Sequence, residues 1–125
     1  MKKIIATDSA PLPIGPYSQA VLAKGFLFCS GQVGLNPKTN AIAEGVAAQT
    51  EQVLANIDAV LKKAGAEWEH IVKTTIFLTN MGDFATVNEI YGKKFPKDPP
   101  ARSTVQVSAL PRGVAVEIEV TALLG

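Results

Sequence analysis

The stretch "PPARSTVQVSALPRGVAVEIEV", residues 99–120, decides how the sheet of this protein is read. Its alternation of apolar and polar residues predicts two β-strands, about 102–109 and 114–123, joined by the loop "LPRG". Successive side chains of a strand point to opposite faces. Val114, Val116, Ile118 and Val120 therefore share one face, and Ala115, Glu117, Glu119 and Thr121 the other. In the preceding strand Ser103, Val105 and Val107 oppose Arg102, Thr104, Gln106 and Ser108. A sheet face bathed in solvent explains this pattern. So does a half-buried arginine near half-buried carboxylates, in which case each charge needs a partner: the other, or a ligand. The loop suits a hairpin of the two strands.

Upstream, "IVKTTIFL" at 71–78 is β-branched and apolar at both parities, so both of its sheet faces are expected to be covered. Val46, Val53, Ile57, Val60, Leu61 and Ala64 recur at helical spacing, with Lys62 and Lys63 in the last turn and Gly65 as the cap. A second helix is expected over about 83–95, with Phe84, Val87, Tyr91 and Phe95 on one side, before "KDPP" ends it. Nearer the start, "TDSAPLPIGPY" at 7–17 is irregular, and strands at 18–23 and 26–31 turn at Lys24-Gly25. The order ββ-α-β-α-ββ makes an α+β fold. Two helices cover only one face of such a sheet, so the other face calls for a partner, and self-association supplies one.

Composition excludes several functions. The 125 residues suit one domain with a core that needs neither disulfide nor metal. A net charge of +1 with no basic stripe argues against a dedicated nucleic-acid binder. Cys29 and His70 are the single residues of their kinds, so an intrachain disulfide is impossible and no metal site is expected. Cys29 lies in the apolar run "FLFCS" and reads as packing; His70 reads as a surface or capping residue and Trp68 as a packing anchor. The apolar run "IIA" is too short for a signal peptide, and no window approaches a membrane span, so a cytoplasmic location is expected.

"PPARSTVQVSALPRGVAVEIE" resembles the signature of the Rid (YjgF) family of reactive-imine deaminases, in which a Pro-Ala-Arg-Ser run precedes Glu-Ile-Glu. The likeness runs through "APLPIGPYSQAV", "FCSGQVGLNPKT", "AAQTEQVLANIDAVLKKAG" and "IVKTTIFLTNMGDFATVNEIY" and covers the whole chain. It implies a single domain over residues 1–125 with a chorismate-mutase-like fold, a mixed six-stranded sheet with two helices on one face. It further implies a homotrimer with a ligand cleft at each subunit interface. The last strand would then insert beside strand 26–31 instead of forming the hairpin. The implied activity is cofactor-independent hydrolysis of 2-iminobutanoate and 2-iminopropanoate, the latter derived from 2-aminoacrylate, to 2-oxo acids and ammonia.

By the same resemblance Arg102 grips the substrate carboxylate, a task its fork of donors suits, and Glu117 orients or activates the attacking water. Tyr17, on a loop stiffened by Pro13 and Pro16, closes the cleft; Ser30 and Gly31 line it, and Asn88 adds a polar wall. Thr104 stands where many members have cysteine and keeps a donor and an acceptor there. A protonated imine is already electrophilic, so orientation, a held water and a carboxylate suffice. Two competing readings are a non-catalytic sensor of small carboxylates, which needs Arg102 but no water activation, and an endoribonuclease, an activity attributed to some members.

Overall fold

A computed structural model describes residues 1–125. Seven strands and two α-helices follow one another as β1 (Lys3–Ile5), β2 (Ala20–Ala23), β3 (Phe26–Cys29), β4 (Gln32–Val33), α1 (Val46–Lys63), β5 (Ile71–Leu78), α2 (Phe84–Gly92), β6 (Ala101–Gln106) and β7 (Val116–Leu123). The sheet order is β1-β2-β3-β7-β5-β6, with β4 also on β7. Only β5 and β6 run parallel, which makes the sheet mixed. The extra strand over the expected six reflects short pieces such as β1 and β4. The hairpin is absent. β7 inserts between β3 and β5, with Phe26 opposite Leu123 and Phe77 opposite Glu117.

The helices obey their apolar spacing. Val53, Leu54, Ile57, Val60 and Leu61 of α1 join Val87 and Tyr91 of α2 in one buried cluster with Ile76 and Leu78 of β5 and Val116, Ile118, Val120 and Ala122 of β7. Each such aliphatic side chain contributes roughly 1.5–3 kcal/mol when fully buried. α1 ends as expected: Gly65 takes the left-handed conformation, with φ of 77°, just past the cap at Ala64. α2 stops at Gly92, short of the expected 95, because its final turn tightens into i→i+3 bonds from Lys93, Lys94 and Phe95.

The second face of the sheet is the one that the two helices leave bare. In the single chain nothing covers it. A bulge between Ile71 and Lys73 turns Ile71 into the core, leaving Lys73, Thr75 and Phe77 on the far side. That side also exposes Ile4, Phe26, Phe28, Val105 and Leu123, each 40–51% accessible, a broad apolar surface without helices. β6, an edge strand, is exposed along its length except at Thr104.

The irregular N-terminal segment is organised by one buried glutamine. Gln19 Oε1 accepts from the Thr7 N–H at 2.7 Å, and its Nε2 donates to the carbonyls of Thr7 (2.9 Å), Ala10 (3.3 Å) and Pro11 (2.8 Å). The side chain is 2% exposed, so it does for residues 7–11 what a β-ladder does elsewhere. Gln19→Met keeps the volume and strands these backbone groups. We expect it to lose about 2–4 kcal/mol of stability in denaturant titration; an unchanged midpoint would show that water replaces the network.

Candidate active site

The expected site residues fall into two groups. The first gathers where α2 meets the sheet edge. Phe84, Asn88 and Tyr91, spaced four and three apart, share one helix face and meet Arg102 of β6. Arg102 Nη1 donates to Asn88 Oδ1 at 2.7 Å, and its guanidinium carbon lies 5.5 Å from the Phe84 ring centroid and 5.2 Å from that of Tyr91. A cavity of about 430 Å³ opens beside it, lined by Met81, Phe84, Arg102 and Thr104. The Thr104 hydroxyl oxygen is buried and has no hydrogen-bond partner. Met81 is held over the rim because its N–H donates to Gln106 Oε1 at 2.7 Å.

The second group surrounds Glu117 on the other side of the sheet. β3 breaks at Ser30, whose N–H donates to the Gln19 carbonyl at 2.9 Å and whose Oγ donates to the Ser18 carbonyl at 2.6 Å. The chain resumes against β7 at Gln32, opposite Ile118. Gly31, in the break, lies against the Glu117 carboxylate so closely that a Cβ would overlap it. Tyr17 is exposed one residue before the Ser18 carbonyl that anchors Ser30. Burial raises the pKa of the half-buried Glu117, and the neighbouring Glu119 charge raises it further. A carboxyl poised this way exchanges protons nearer neutral pH than a solvated one.

Arg102 and Glu117 do not meet. Arg102 stands opposite Thr74 in the β5–β6 register, whereas Glu117 stands opposite Phe77 in the β5–β7 register. Thr74 is buried on the helix side and Phe77 points to the uncovered side, so the two charges lie on opposite faces, two strand spacings apart. The single ion pair of the chain is Lys62–Asp58, so neither Arg102 nor Glu117 is neutralised by a partner. Of the two sequence alternatives, mutual satisfaction fails within one chain.

Other residues take structural parts. His70 Nδ1 accepts from the Glu67 N–H at 2.9 Å, a cap on a short turn. Burial pushes the Cys29 thiol up to about 12, so it is no thiolate at neutral pH. Trp68 Nε1 donates to Asp58 Oδ1 at 3.0 Å. No three His, Cys, Asp or Glu side chains cluster as a metal-binding group, and no helix is long and apolar enough to cross a membrane. In the sequence Phe84 and Tyr91 read only as members of the apolar side of the second helix, and nothing there singles out Met81 or Gln19. The spacing of Phe84, Asn88 and Tyr91 was the available signal for the first group.

A family model described as Endoribonuclease L-PSP matches residues 7–124. The chain belongs to this family, also known as Rid. Its relatives include the 2-iminobutanoate/2-iminopropanoate deaminase of Mus musculus, 48% identical over 126 residues, which span 100% of this chain and 93% of that protein. Another is the chloroplastic Reactive Intermediate Deaminase A of Arabidopsis thaliana, 51% identical over 124 residues, covering 98% of this chain and 66% of that one. The crystal structure of a protein of unknown function from the Rid family of Yersinia pestis matches with a TM-score of 0.97 at 52% identity, over 99% of this chain and 100% of that one. The α+β fold with two helices on a mixed sheet is thus the Rid fold.

Proposed function

We propose that this Rid-family protein hydrolyses small 2-imino acids, such as 2-iminobutanoate and 2-iminopropanoate, to 2-oxo acids and ammonia, at sites between subunits of a homotrimer. The observation that carries this reading is a pair of unneutralised charges, Arg102 and Glu117, each built into a prepared setting on its own sheet face. A neighbouring subunit that packs its own uncovered face around the β6 edge would bring its Glu117 group to the Arg102 group of the first. The exposed Ile4, Phe26, Phe28, Val105 and Leu123 supply the apolar area for that docking, and the family resemblance supplies the number three.

In the composite site Arg102 holds the substrate carboxylate through the guanidinium edge that Asn88 leaves free. Tyr17 covers the cleft, while Ser30 and Gly31 border the Glu117 carboxylate. Glu117 takes a proton from water as the oxygen attacks the carbon of the protonated imine, giving a neutral carbinolamine. It then returns that proton to the nitrogen. Ammonia leaves as the carbon–nitrogen bond breaks and the hydroxyl proton passes to the Glu117 carboxylate and on to solvent, which forms the 2-oxo acid. Thr104 lines the cavity beside Arg102, and rotation of its side chain would present its unpartnered hydroxyl to the bound substrate.

The reading is tested by generating 2-aminoacrylate with a serine dehydratase and following pyruvate release. Added protein should speed release after the dehydratase step. Equal release with and without it would reject catalysis, and pyruvate binding without acceleration would favour a carboxylate sensor.

A further inference from the structure

Arg102 faces a physical problem that the proposed chemistry does not solve for it. It is an exposed side chain on an edge strand, and a free arginine loses much rotamer freedom when it seizes a carboxylate. The contacts around it bear on that loss. Thr74 sits directly opposite Arg102 in the parallel register and is 1% exposed. Its hydroxyl is 2.7 Å from the Tyr91 hydroxyl, and Tyr91 is 5% exposed, so the ring is anchored at its hydroxyl end within the core. Behind it, the Phe95 ring lies 4.9 Å away and in turn meets Trp68 at 5.6 Å. The Tyr91 ring thereby presents a rigid π surface to the guanidinium at 5.2 Å, with Phe84 contributing a second at 5.5 Å.

We propose that Tyr91 is a positioning residue. Pinned by Thr74 and backed by Phe95, its ring holds Arg102 in the orientation that offers one guanidinium edge to a carboxylate. Asn88 engages Nη1 and limits rotation about the side-chain axis, and the aromatic surface restrains the plane. Of the five N–H donors, those on the edge away from Asn88 remain for bidentate binding. The arginine is therefore ordered before substrate arrives, which is preorganisation of the binding group. This rests on the reading of Arg102 as the carboxylate-binding residue.

Two substitutions at one position separate ring from hydroxyl. Tyr91→Phe keeps the π surface and leaves the Thr74 hydroxyl unpaired, so it should melt lower than wild type while pyruvate affinity stays within about twofold. Adding Thr74→Val should recover much of the lost melting temperature. Tyr91→Leu removes the π surface and should weaken pyruvate binding about five- to thirty-fold. The Arg102 Nε–H resonance, shifted by the ring current in wild type and in Tyr91→Phe, should return toward the free-arginine position in Tyr91→Leu. Phe84→Leu, a smaller change at a partly buried position at the border of the core, should weaken binding in the same direction if Tyr91→Leu fails to fold. Pyruvate affinity unchanged in a folded Tyr91→Leu or Phe84→Leu protein would overturn the proposal. Equal loss in Tyr91→Phe and Tyr91→Leu would also overturn it, since the hydroxyl and not the ring would then matter. If wild type and Arg102→Lys bind pyruvate equally, the assignment of Arg102 falls and the positioning role falls with it.

Discussion

Glu117→Gln should lower imine hydrolysis by about a hundred- to ten-thousand-fold, the usual worth of a positioned acid or base. The substitution keeps the shape against Gly31 and removes only the ionisable group. Affinity for pyruvate should change little, because in the shared site Arg102 of the neighbouring subunit supplies the carboxylate contact. The pH profile adds a second readout. Burial and the Glu119 charge raise the Glu117 pKa, so the acid limb of kcat/KM in the wild type should lie above the ordinary glutamate range and vanish in the variant. Stability moves the opposite way from a salt-bridged carboxylate. The folded chain holds this proton more tightly than the unfolded chain does. Ionisation therefore erodes stability as pH rises from the ordinary glutamate value through the raised one, and below that window the loss is absent. Glu117→Gln should accordingly melt no lower than wild type at neutral pH. Full turnover in this variant would remove Glu117 from the mechanism.

Subunit mixing gives the second large effect. Arg102→Ala and Glu117→Gln proteins should each be nearly inactive alone. If every site takes Arg102 from one subunit and Glu117 from the next around a closed ring, unfolding and refolding an equal mixture creates mixed trimers with one intact site each. Random assembly makes three-quarters of the trimers mixed, so activity should recover to about a quarter of wild type. Sites confined within single subunits would give no recovery. Light scattering on the same sample checks the stoichiometry, and a stable monomer at micromolar concentration would end the shared-site reading.

The helices and the strand faces were legible in the sequence because each is a local pattern. The recurrence of Val53, Ile57, Val60 and Leu61 dictates one buried stripe on α1, and the alternation of Val116, Ile118 and Val120 dictates one buried face on β7. Arg102 and Glu117 stood out for the same reason, as charges inside strongly β-forming runs. The resemblance carried by "PPARSTV" and "EIE" named the residues to watch, Tyr17, Ser30, Gly31, Asn88 and Thr104 among them.

Only the tertiary structure decided who neighbours whom. Strand order depends on contacts far apart in the chain, and the loop at residues 110–113 permits either a hairpin or a separation. Once β5 pairs with β6 on one edge and β7 on the other, register alone sends Arg102 to the helix side and Glu117 to the uncovered side. The Gln19 network and the contact of Tyr91 with Thr74 and Arg102 were hidden likewise. Each joins residues that no short-range period connects, through hydrogen bonds or ring contacts that exist only after the sheet has closed around them. Periodicity determines which face a side chain occupies; pairing of distant strands determines what it meets there.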